Sequence, residues 1–245
     1  MPLAVSPADL LLLAGGAFVG SLLASVAGFG GAAVLLPFLV VLFGVRDAIP
    51  ILTVAQLIGN LSRVVFNRYE VDVKVVGWFA LGGIPAAILG GLLFASAPLS
   101  FLIRLLGVFL LAVVAYRHLG NAAALRVPTK GFAVLGAVFS FLSALLGSVG
   151  PIMIPFFLAY GLVKGALIGT EAFATVVMHV TKLAVYGGTA VLTRRGFAIG
   201  LVLGSIMIVG SYAGKRLLDR LPEKIFILLV EASLVVAGVN FLLRG

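Results

Sequence analysis

Two glycine-rich interruptions inside long apolar runs constrain this chain more than any other feature. The first reads Ala27-Gly28-Phe29-Gly30-Gly31-Ala32-Ala33-Val34-Leu35-Leu36-Pro37, and the second Leu145-Leu146-Gly147-Ser148-Val149-Gly150-Pro151-Ile152-Met153-Ile154-Pro155. Hydrocarbon offers no hydrogen-bond partner, so irregular backbone at membrane depth persists only where protein buries it or where it lines a wet cavity. Paired interruptions in corresponding halves of a chain point to a transport site. Gly28, Gly30 and Gly31 permit close approach by a ligand. Helices starting near Ala32 and near Val149–Pro151 would aim unpaired N–H groups into the gap, and Pro151 suits such a start. Two converging helix N-termini form an anion site without a charged side chain. The competing reading is that the glycines only let helices pack closely.

Composition supports the membrane setting. Hydrophobic residues make up 62% of the chain and charged residues 10%, against roughly 25% charged in a soluble domain. An ordinary globular enzyme and a nucleic-acid binder are excluded, so the net charge of +9 matters through its placement. The chain has no cysteine, hence no disulfide, thiolate metal site or cysteine nucleophile. Two histidines and eight acids are too few for a multi-ligand metal site, and no cofactor is expected. No basic segment precedes Asp9, so the first helix is expected to be retained rather than cleaved.

The chain then divides into two halves, 1–120 and 130–245, joined by the polar connector 121–129 within one membrane domain. The apolar run 9–26 is about 27 Å long if helical, and 32–43 only about 18 Å. Spans follow at 47–66, 75–95 and 99–116. The second half repeats the order with 131–146, 152–162, 166–185, 196–213 and 225–243. Pro37 falls on Pro155, Thr53 on Thr170, Gly90 on Gly214 and Pro98 on Pro222. The expected fold is all-α and integral to the membrane, a duplicated and inverted repeat. Each half has a broken helix pair plus three spans. Six crossings with two re-entrant hairpins, and ten crossings, both satisfy the pattern. Ten Lys and Arg residues fall on one side of this scheme, while Arg46, Arg194, Arg195 and Arg244 fall on the other. The bias puts the N-terminus outside a bacterial-type inner membrane.

Two helices carry polar stripes. Thr53, Gln56, Asn60 and Arg63 share one face of the first, and Glu171, Thr175, His179 and Lys182 one face of the second. Ionisable groups at bilayer depth face a cavity or a partner. Glu171 is a candidate proton carrier, or an interfacial residue near its helix start. His179 suits proton coupling, or a plain hydrogen bond between helices. Lys182 and Arg63 are candidate charge partners for an anion. For Lys182, snorkelling to the surface is the preferred alternative; for Arg63, it is a place among the positive residues of the inner face. Candidate substrate-binding residues are Gly28, Phe29, Gly30, Gly31, Ala32, Thr53, Gln56, Asn60, Ser148, Val149, Gly150 and Thr170. No catalytic role is assigned to any residue.

The segment 26–37, followed after Gly44 by a Thr/Gln/Asn helix, resembles the TauE/SafE family of sulfite exporter-like permeases. The similarity covers almost the whole chain. In the second motif Ser148-Val149 stands where Gly30-Gly31 would fall. The resemblance implies a membrane transporter for sulfite, an organosulfonate or another small sulfur-containing or carboxylate anion. The expected function is therefore secondary transport of such an anion, outward, by protons or membrane potential. The partners are the anion, the lipid bilayer and coupling protons, with monomer and homodimer both open. An anion channel is the alternative. An intramembrane enzyme is disfavoured, since no paired acids or H-E-x-x-H helix is present.

Overall fold

Over residues 6–28, 31–119 and 127–217, which the structure (a computed structural model) describes, the chain is helical. Phe29 and Gly30, most of the connector, and the span expected at 225–243 lie outside the described residues. In order come α1 (Pro7–Ala27), α2 (Gly31–Phe66), α3 (Val73–Ser96), α4 (Leu99–Leu119), α5 (Gly131–Leu146), α6 (Gly150–Ala159), α7 (Lys164–Gly188) and α8 (Arg194–Leu217).

Local chemistry sets the boundaries. α1 starts on a capping box: Asp9 N–H donates to Ser6 Oγ at 3.2 Å, and Ser6 N–H donates to the Asp9 carboxylate at 2.9 Å. Asp72 caps α3 by accepting from the amides of Lys74 and Val75. α1 and α5 both end on glycine with positive φ, 78° at Gly28 and 85° at Gly147, a conformation that costs an L-residue with Cβ about 1–2 kcal/mol. α2 is bent at Gly44 (φ 76°, ψ 162°), which separates an arm of residues 31–43 from the polar arm 45–66. Both sequence interruptions are thus interruptions of helix.

Close glycine contacts fix helix directions. A Cβ on Gly210 would strike the Phe18 carbonyl, and one on Gly214 the Leu22 carbonyl, so α8 and α1 run the same way. Gly82 lies against Ala133 and Gly90 against Phe141, so α3 and α5 also run together. Gly200 meets Val54 and Gly204 meets Ile58, which aligns α8 with the polar arm of α2. At the other seam the Asp72 amide donates to Thr170 Oγ1, and Phe94 packs on Tyr186, which aligns α3 with α7. Since α2 turns back into α3 through residues 67–72, the two sets are antiparallel. α1, the polar arm of α2 and α3 therefore oppose α5, α7 and α8 respectively.

Polarity is arranged inside out. Gln56, Asn60, Arg63, Glu171, His179 and Lys182 are buried, while Leu11, Leu81, Val134 and many other large apolar side chains face outward. A water-soluble fold has the opposite distribution. Five described helices are long and apolar enough to cross a membrane. The short arm of α2 rises roughly 20 Å and α6 roughly 15 Å, well short of the ~30 Å hydrocarbon layer. Each return arm is accordingly too short to make a full crossing by itself. The chain is a multi-pass membrane protein.

Candidate functional site

The two breaks meet. A Cβ on Gly28 would lie 2.7 Å from Ile154 Cδ1 of α6, and one on Gly147 would lie 3.4 Å from both Ile49 and Leu52 of α2. Each break is thus seated against the other half of the molecule. Between them is a cavity of about 30 Å³, room for two or three waters at ~10–15 Å³ each. Gly28, Gly31 and Ala32 line it from the first break, and Ser148, Val149 and Gly150 from the second. Gln56, Asn60 and Arg63 enter from α2, and Glu171, Thr175 and His179 from α7.

Most of the residues expected from the sequence are therefore brought to one place. Thr53 and Thr170 are not among them. Thr53 is buried elsewhere, donating to the Ile49 carbonyl at 2.7 Å, and Thr170 accepts from the Asp72 amide at 2.9 Å at the α3 start. Lys182 does not snorkel. It is fully buried, and its Nζ donates to Ser143 Oγ at 3.0 Å and to the Ser143 carbonyl at 3.2 Å. The physical reason is local: α5 ends at Leu146 beside it, leaving carbonyls that need donors. Tyr186 serves the same end by donating to the Ala144 carbonyl at 2.5 Å.

Arg63 plays the matching part for α1. Its Nη1 donates to the Ala24 carbonyl at 3.2 Å and to the Gly28 carbonyl at 3.4 Å, and pairs with Glu171 at 3.3 Å. Nη2 is held by Asn60 Oδ1, and Thr175 donates to the second Glu171 oxygen at 3.0 Å. Arg63 is therefore buried in the interior rather than merely one of the positive residues of an end face. Arg63 and Lys182 stand 119 positions apart, as do Ala24 and Ser143, Gly28 and Gly147, and Gly31 and Gly150. This register is one position from that which sets Ser148-Val149 against Gly30-Gly31. Both return helices begin on glycine.

The electrostatic sum follows. The N-terminal ends of α2 and α6 and the C-terminal ends of α1 and α5 offset each other, at roughly half a charge each. Arg63 and Glu171, the charged side chains among the described lining, balance each other as an ion pair, and Lys182 stands behind Ser143 outside the lining. Two polar atoms on this site also lack partners among the described residues: Gln56 Nε2 and His179 Nδ1, each on a residue at most 5% exposed. Buried polar atoms are nearly always satisfied, so a pair of orphans at one cavity makes it the candidate functional site. Ser143 and Thr175 also line it; Thr175 lies on the α7 stripe without being assigned to substrate binding from the sequence, and Ser143 is not singled out there. Ser143 was detectable in principle, because it precedes Gly147 by four as Ala24 precedes Gly28.

No curated protein and no solved structure matches this chain. The family model described as Sulfite exporter TauE/SafE matches residues 12–241. That span holds both breaks, both polar helices and every residue of the cavity, and so the chain belongs to the TauE/SafE family of sulfite exporter-type membrane transporters.

Proposed function

We propose that the protein is a secondary transporter that exports a small oxyanion, with sulfite and short sulfonates or carboxylates as its substrate class. The guest sits between the two breaks. It takes hydrogen bonds from Gln56 Nε2 and from His179 in its Nδ1–H tautomer, and faces the amide ends of α2 and α6. The observation that carries this reading is the pair of buried side chains, without partners among the described residues, at the junction of two broken helices. The small volume supports an ion of sulfite size in this conformation. The opposed directions of the two halves support alternating access, with the N-terminus outside and the Lys/Arg-rich end in the cytoplasm.

Export of a monoanion down a 100 mV potential is worth about 2.3 kcal/mol, so no nucleotide is needed. Glu171 and His179 are the proton-coupling candidates. Protonating Glu171 would release Arg63 from its ion pair and make that guanidinium available to the anion. The test is counterflow of radiolabelled sulfite in proteoliposomes. Wild-type protein should show saturable exchange. Gln56→Leu, His179→Leu and Gly150→Leu should each abolish it while the purified proteins remain monodisperse. Exchange retained in all three variants sinks the site assignment. Flux that never saturates and shows no counterflow identifies a channel instead.

A further inference from the structure

A second cavity, of about 250 Å³, lies on the other side of Arg63. Arg63 lines both cavities, and it is the residue between them. The second is bounded by the C-terminal end of α2, the first turn of α7 and the C-terminal end of α8. Lys164 and Lys215 line it together with Arg63, against one carboxylate, Glu70. The 25-residue helix α7 starts there with Val163 at its cap, which offers no side-chain hydrogen bond, so its partial positive charge faces the cavity. The Glu70 carboxylate rests against Gly165 in that first turn, where an anion belongs. Ser211 Oγ lines the same cavity. It is 1% exposed and has no partner among the described residues.

We propose that this cavity is a second oxyanion-binding site, in series with the central one and separated from it by Arg63. The proposal rests on the transport reading above. An oxyanion entering from the Lys164/Lys215 end displaces Glu70 from the α7 N-terminus and takes the free Ser211 hydroxyl. It passes inward when protonation of Glu171 lets Arg63 swing away from its ion pair. The same oxyanion chemistry is carried by a free ion or by a lipid phosphate, and the experiment separates the two.

Equilibrium binding of radiolabelled sulfite and sulfate is measured on the full-length protein in phosphatidylcholine nanodiscs. Wild type is expected to bind two equivalents per chain. The double variant Lys164→Gln/Ser211→Ala should weaken one of them by roughly tenfold or more, the loss of a charged hydrogen bond, and leave the other untouched. Lys164 is exposed and the Ser211 hydroxyl has no partner among the described residues, so neither change removes a folding contact among them. The double variant Gln56→Leu/His179→Leu should remove the other equivalent. A single equivalent that is lost only in the second variant overturns the outer site and leaves the central reading intact. A single equivalent lost only in the first variant overturns the central site and the serial arrangement with it. No binding at all overturns both. If phosphatidylglycerol displaces the outer equivalent, the cavity holds a lipid phosphate and its place on a route is overturned.

Discussion

A guanidinium or ammonium group buried among apolar helices must find acceptors, and Arg63 and Lys182 find theirs at the severed ends of α1 and α5. Their situations differ in one respect that a measurement can read. Arg63 also neutralises Glu171, so Arg63→Met leaves a buried carboxylate unpaired, a loss of about 3–5 kcal/mol. Lys182→Met leaves only neutral carbonyl and hydroxyl oxygens without a donor, a smaller loss of about 1.5–3 kcal/mol. The double variant Arg63→Met/Glu171→Met should be more stable than Arg63→Met alone, because the unpaired charge goes with it. Unfolding of the purified variants in mixed micelles gives the comparison. Equal losses for Arg63→Met and Lys182→Met would show that Glu171 does not depend on Arg63. At the other end of the molecule Arg46 repeats the habit on a smaller scale, donating to the Ala95 and Ala97 carbonyls where α3 finishes.

Helices here meet through missing side chains. Gly136 of α5 lies so near the Phe79 carbonyl that no Cβ fits between them, whereas Gly77 and Gly187 have open space around them. Gly136→Leu should therefore force α3 and α5 apart and cost at least the 1–3 kcal/mol typical of overpacking. Gly77→Leu should leave the melting temperature in detergent within error of wild type. An insensitive Gly136 would mean that the α3–α5 seam is looser than its geometry. Much of this level was legible beforehand. The broken helices at 28 and 147, the bend at Gly44 and the inward stripes of α2 and α7 follow from glycine placement and from three-and-four spacing. What spacing does not give is the neighbour. It put Lys182 on the right face of α7, but Ser143 lies 39 positions away and belongs to it only through the seating of α7 on α5. Thr53, on the stripe of α2, and Thr170, its aligned counterpart, show the same gap from the other side, since each commits its hydroxyl to a local carbonyl or a loop amide. The Arg63–Glu171 pair joins residues 108 positions apart, and no local pattern announces it.

Across the molecule, the charged ends sort as the helix directions require. Lys164 and Lys215 lie at the end where Asp72 and Thr170 meet, and Arg46 and Arg195 lie at the opposite one. Aromatic groups mark the Lys-rich end, with the Arg68 guanidinium 4.5 Å over the Tyr69 ring and that of Arg216 4.7 Å over Tyr212. The halves are also exchanged. α8 covers α1, and α3 covers α5, so the closest seams are made between residues far apart in the sequence. During synthesis, then, α1 and α3 are made well before the surfaces that receive them, and wait in the lipid with those faces uncovered. Neither 1–119 nor 127–245 should survive alone in a cell, where membrane proteases clear unassembled segments, yet the two fragments produced together should accumulate and copurify. Fragments that each persist unaided would mean that the nascent chain needs no such late embrace.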